Sequence, residues 1–129
     1  MIPVQDGVVF HVFWKDIKNV GKGPALSLIV GEVEVLRLDC FGPGDGHLHA
    51  DFVAAGMNAE ERLFFPEDTI PAQIERALFE LSKNWAYYTT RSLHPHVQKT
   101  WLDPNALRKA LKEARGLMVE FSGAGFSAG

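Results

Sequence analysis

The segment Leu36-Arg37-Leu38-Asp39-Cys40-Phe41-Gly42-Pro43-Gly44-Asp45-Gly46-His47-Leu48-His49-Ala50-Asp51-Phe52 alternates apolar and polar residues on both sides of a glycine-rich turn. Successive side chains of an extended chain point to opposite faces of a sheet. Leu36, Leu38 and Cys40 therefore share one face, and Arg37 and Asp39 the other. Beyond the turn, Leu48, Ala50 and Phe52 alternate in the same way with His47, His49 and Asp51. Residues 42–46 hold three glycines and a proline, a composition that stops a strand and supplies the positive φ angles of a tight turn. The stretch predicts a β-hairpin with one apolar face and one face of ionisable groups.

Symmetric pairing about Gly44 places Phe41 opposite His47, Asp39 opposite His49 and Arg37 opposite Asp51. Cβ atoms of directly opposed residues lie about 4.5–5.5 Å apart, so this register forms two complementary charge pairs. A slip of one residue would turn the charges into the core.

Upstream, residues 10–15 are rich in aromatic and β-branched types and read as a strand. A loop carrying Asn19, Gly21, Gly23 and Pro24 follows. Residues 25–30 and 33–41 read as strands joined at Gly31-Glu32. Leu26, Leu28 and Val30 have the parity of Leu36, Leu38 and Cys40. If both rows face one core, a three-residue loop suits them better than a two-residue one. Downstream, residues 47–53 and 62–65 read as strands about a turn at Gly56-Met57-Asn58-Ala59.

The second half is helical. Pro71 suits a first turn capped by Asp68 or Thr69, and Ile74, Ala77, Leu78, Leu81, Trp85 and Tyr88 form one stripe. Asp103-Pro104 opens a final helix with the stripe Leu107, Ala110, Leu111, Ala114, Leu117, Met118 and Phe121. Strands first and helices afterwards predict an α+β fold: an antiparallel sheet of four to five strands with two C-terminal helices packed on one face. Residues 1–122 form a single domain, and residues 123–129 a flexible tail.

The chain has 129 residues, a net charge of −3 and a pI near 5.9. No Lys/Arg run exceeds two residues, which argues against a nucleic-acid surface or a polybasic membrane anchor. No apolar run reaches the roughly 20 residues of a membrane helix. The single cysteine, Cys40, excludes an internal disulfide and sits on the apolar strand face as a buried thiol. Its redox context and the absence of a visible export signal lead to an expectation of a cytoplasmic protein.

Two imidazoles and a carboxylate on one face, His47, His49 and Asp51, are ligand types for zinc, iron or nickel. Arg37 and Asp39 support this face from the neighbouring strand. Asp39 beside His49 either favours a protonated ring, a poor ligand, or orients a metal-bound ring through its second nitrogen. A second His-x-His, His94-Pro95-His96, lies between the helices on a polyproline-like path and could bring a third nitrogen. His11, between Phe10 and Val12, reads as a strand residue with a local hydrogen bond. No serine or cysteine has a nucleophile-like context, so no catalytic residue is assigned.

Phe79 falls opposite the apolar stripe of its helix and is the candidate dimer contact. Trp14, Trp85 and Trp101 could line a small-molecule pocket between sheet and helices, and more simply belong to the core. The metal barrels of the cupin type also set His-x-His after a glycine turn. They expect a glutamate where this chain has Val53 or Ala54, and their second motif is not evident here.

The Arg-x-Asp-Cys-Phe strand at Arg37, Asp39, Cys40 and Phe41, followed by His47-Leu48-His49, is similar to the core of a small bacterial family of uncharacterised proteins. That resemblance covers about the central third of the chain and implies an architecture, two helices after the hairpin, without an activity. The expected protein is a homodimeric binding or structural domain, with metal binding through the His-x-His-x-Asp strand as the alternative.

Overall fold

The computed structural model describes residues 1–51 and 62–128, with side chains described as far as residue 123. Among the described residues, six antiparallel strands lie in chain order: β1 (Ile2–Gln5), β2 (Val8–Ile17), β3 (Gly21–Val30), β4 (Val33–Asp39), β5 (His47–Ala50) and β6 (Leu63–Phe64). Four helical segments follow: α1 (Ile70–Lys83), α2 (Trp85–Thr90), α3 (Pro95–Gln98) and α4 (Pro104–Ala128). The α+β class is as expected. The strand count is six rather than four to five because β1 pairs with β2 and buries Ile2 and Val4. Pro3 is tolerated there because β1 is an edge strand.

The meander solves its parity problem with a bulge. The β3–β4 turn has two residues, Gly31 (φ 61°) and Glu32, with Val30 opposite Val33. The ladder then passes from Ile29↔Glu34 to Leu28↔Leu36, leaving Val35 as an extra residue on β4. This one insertion brings Leu26 opposite Leu38 and Leu28 opposite Leu36, both rows facing the core. The bulge therefore supplies the shift that a three-residue loop was expected to make.

The next hairpin departs from symmetric pairing by two residues. Arg37 lies opposite His49, Leu38 opposite Leu48 and Asp39 opposite His47. A two-residue change preserves which side chains share a face, and it gives each polar group a new neighbour. Its cause is the connection after β4, where the N–H groups of Asp45 and Gly46 both donate to the Gly42 carbonyl at 3.1 Å. The last positions of the strand expected over 47–53 and the turn expected at 56–59 lie outside the described residues.

The helices cover the face formed by Phe10, Val12, Leu26, Leu28, Leu36 and Leu38. They contribute Ile74, Ala77 and Leu81 from α1 and Leu107, Ala110, Ala114 and Met118 from α4. Thr69 caps α1 by accepting from the Ala72 N–H at 3.2 Å, and Asp103 Oδ2 accepts from Ala106 N–H at 2.9 Å. The expected first helix is broken at Asn84. Glu80 is buried, and the break lets Asn84 and Tyr88 donate to its Oε2 at 3.0 and 2.8 Å. At the second His-x-His, Pro95 opens the single-turn α3 instead of a polyproline path. The backbone of α4 stays helical through Ala128, past the expected start of the tail.

Candidate functional site

The face of the sheet turned away from α1 and α4 carries two cross-strand rows. One runs His11, Ser27, Arg37, His49, and the other Phe13, Ala25, Asp39, His47, Phe64. Asp39 and His47 sit in adjacent strands at directly opposed positions, and both are buried. His47 Nε2 lies 3.0 Å from Asp39 Oδ2, and His49 Nε2 lies 3.9 Å from the same oxygen. Arg37 Nε donates to Asp39 Oδ2 at 3.4 Å and is 3.3 Å from Oδ1. Oδ1 is buried and accepts no hydrogen bond among the described residues. The rings of Phe41 and Phe64 flank His47, with centroids 5.5 and 5.8 Å away, and the His49 ring meets it edge-on at 4.9 Å.

A backbone carbonyl sets the orientation of His47. Its Nδ1 is 2.7 Å from the Asp45 oxygen, and a carbonyl only accepts, so Nδ1 carries hydrogen. Nε2 then faces Asp39 and His49, donating to the carboxylate when the ring is protonated and presenting a lone pair when it is neutral. The loop that carries this carbonyl is held from α1 at Gly42 and Gly46. Gln73 is fully buried; its Oε1 accepts from Gly42 N–H at 2.9 Å, and its Nε2 donates to the carbonyls of Gly42 and Glu67 at 2.8 and 2.9 Å. Gly46 packs so closely on the Gln73 amide that any Cβ would overlap it. Gln73 is thus a positioning residue for the loop that orients His47.

The electrostatics favour a carboxylate at Asp39 and a neutral imidazole at His49. Burial pushes the Asp39 carboxyl up, but the His47 hydrogen bond and the Arg37, His47 and Lys15 charges outweigh it, and the net shift is downward. His49 is pushed down to about 4, first by burial and then by the Arg37 and His47 charges, against an opposing pull from Asp39. His49 is therefore neutral near pH 7. Of the two alternatives open for His49, burial and then Arg37, its direct cross-strand neighbour, favour the unprotonated ring.

Asp39, His47 and His49 offer ligand atoms that all lie within 4.8 Å of one another. Asp51 stands elsewhere. Its Oδ2 accepts from Ser92 Oγ at 2.7 Å and lies 4.0 Å from His94 Nε2. His94 is half-exposed, its ring centroid is 5.9 Å from that of His96, and His96 lies against Gly31 of the β3–β4 turn. The two His-x-His motifs thus serve different places, and Asp39, expected in support, takes the position expected of Asp51. His11 stacks on Phe13 with centroids 4.4 Å apart. Cys40 is a buried free thiol whose pKa burial raises.

Phe79 is 52 % exposed on α1. Trp14 and Trp101 are 37 % and 63 % exposed, so they are not the core residues expected; Trp101 shares a surface groove with Trp85 and Leu107. No helix among the described residues is long and apolar enough to cross a membrane. No family model, no curated protein and no solved structure matches this chain.

Proposed function

We propose that this protein binds one divalent transition-metal ion through His47 Nε2, His49 Nε2 and a carboxylate oxygen of Asp39. The observation that carries the reading is the cluster itself: two imidazole nitrogens converge on a buried carboxylate whose Oδ1 accepts no hydrogen bond among the described residues. Two donors on one tetrahedral zinc ion stand roughly 3.3 Å apart, given metal–ligand distances near 2.0 Å. The nitrogen–oxygen distances of 3.0 and 3.9 Å bracket that value. The His47 Nδ1–H to Asp45 carbonyl bond is the outer contact that fixes the ligating tautomer of a metal-bound histidine. Two histidines and one carboxylate suit zinc, iron or nickel and leave a coordination position for an exogenous ligand.

The test is elemental analysis of untagged protein, stripped with chelator, incubated with zinc and desalted. One ion per chain is expected, with loss in His49→Ala. A wild type without stoichiometric metal overturns the reading.

A second reading, self-association through α1, draws on exposed Phe79. It stands beside Leu78 and Leu111 at the groove between α1 and α4.

A further inference from the structure

The approach to the cluster carries a cation. The Asp39 and His47 side chains are 0 % and 1 % exposed, whereas those of His49 and Arg37 are 17 % and 23 % exposed. A ligand from solvent therefore reaches the centre past His49 and Arg37, which oppose one another across the β4–β5 pair.

Arg37 is only loosely engaged. Its contacts to Asp39 Oδ2 and Glu34 Oε1 are both 3.4 Å, longer than the roughly 2.7–3.2 Å of a well-formed N–H···O bond. Ser27 Oγ already donates to the other Glu34 oxygen at 2.8 Å. A guanidinium has five N–H donors, and those on Nη2 have no hydrogen-bond acceptor among the described residues.

Charge counting selects the ligand. Asp39 and Arg37 cancel, the Glu34 carboxylate beside Arg37 offsets the Lys15 charge that acts on Asp39 and His49, and the two imidazoles are neutral as ligands. A divalent ion held here would keep most of its charge beside a second cation. An anion bridging the two relieves that repulsion, and a neutral ligand does not.

Resting on the metal reading, we infer that the site takes a small carboxylate, with one oxygen at the open metal position and the other on Arg37. Arginine suits this role because its donors are planar and permanently charged.

The experiment uses cobalt(II) as a spectroscopic probe at saturating metal. Acetate, inorganic phosphate and neutral acetamide are titrated while the visible bands are followed. Acetate is expected to shift the bands saturably and acetamide to leave them unchanged. Arg37→Gln should weaken acetate by about tenfold, and Glu34→Gln, which frees a guanidinium nitrogen, should tighten it. The Glu34→Gln arm carries the test if Arg37→Gln does not fold. Equal response to acetamide, tighter binding of phosphate than acetate, or unchanged acetate affinity in the folded variants overturns the inference. A wild type that takes up no cobalt overturns the metal reading itself; cobalt bands insensitive to acetate overturn only the carboxylate.

Discussion

His47 and Asp39 face one another across two strands with Nε2 and Oδ2 3.0 Å apart, while the other ring nitrogen of His47 is tied to the Asp45 carbonyl at 2.7 Å. A ring with hydrogen on Nδ1 alone presents a lone pair to a carboxylate, which is repulsive. Two arrangements remove that repulsion: a second proton on Nε2, making an ion pair, or a cation shared by both groups. On the proposed metal reading, uptake of an ion would need no rearrangement of the strands. The protonated and ion-bound arrangements would differ in what occupies the space between Nε2 and the carboxylate.

Asp39→Asn and Asp51→Asn should separate sharply. If Asp39 is a metal ligand as proposed, its variant should lose metal affinity by more than the roughly 10–100-fold seen for outer-shell contacts. Its stability should drop by about 1–3 kcal/mol, because His47 loses a charged partner while the partly exposed Arg37 keeps Glu34. Asp51→Asn weakens one Ser92 hydrogen bond and should cost about 1–2 kcal/mol. Its metal affinity should stay within roughly twofold, as expected for sites without shared partners. Zinc titration and urea unfolding of both variants check the pair.

The difference between these two aspartates marks what was legible in the sequence. Period-two alternation is local, so it placed Arg37, Asp39, His47 and His49 on one face without knowledge of anything else. Which aspartate meets which histidine depends on register, and a two-residue shift changes partners without changing faces. That shift follows from the bonds closing the loop on Gly42 and from Gln73, 31 residues away in sequence. A trace of Gln73 was present: with Ile70, Ile74 and Ala77 it occupies the i, i+3, i+4, i+7 face of α1, where a polar residue is out of place unless it bonds something buried. The bulge at Val35 left a similar trace, as a mismatch between a two-residue turn and two apolar rows of conflicting parity.

Gln73→Leu tests the loop. The substitution removes three hydrogen bonds and leaves the Gly42 N–H and two carbonyls to find partners, so a loss of about 2–4 kcal/mol is expected. Metal affinity should fall by about tenfold or more because the Asp45 carbonyl no longer holds His47. Ile74→Val, a neighbouring core change costing about 0.5–1.5 kcal/mol, is the control and should leave metal affinity unchanged. If Gln73→Leu loses stability alone, the loop is structural and does not position the ligand.

Acid should destabilise the metal-free protein through His49. Its folded pKa is about 4, against 6.5 for an unperturbed ring, so between these values the unfolded chain binds more protons. Stability is therefore whole above about pH 6.5 and is lost as pH falls toward 4, with a slope of at most about 1.4 kcal/mol per pH unit from this group. The Asp39 carboxyl, held below its usual value, adds a further loss only as pH falls below its unfolded value near 3.8. Urea unfolding at several pH values with chelator present measures the slope. His49→Gln should flatten it between pH 6.5 and 4 and leave the lower limb.

Phe79→Glu addresses self-association separately from the metal site, since α1 lies on the opposite side of the sheet from His49. A ring that is 52 % exposed contributes little to the fold, so the variant should unfold within about 0.5 kcal/mol of the wild type. The groove beside it is bordered by Arg108, Lys112 and Arg115, the last already paired with Glu75. A glutamate at position 79 would be drawn to these cations within its own chain rather than across an apolar contact. Sedimentation at several concentrations should then show a dimeric wild type and a monomeric variant. Monomers in both would remove self-association through this helix and leave Phe79 as a solitary exposed ring, which needs no partner to explain it.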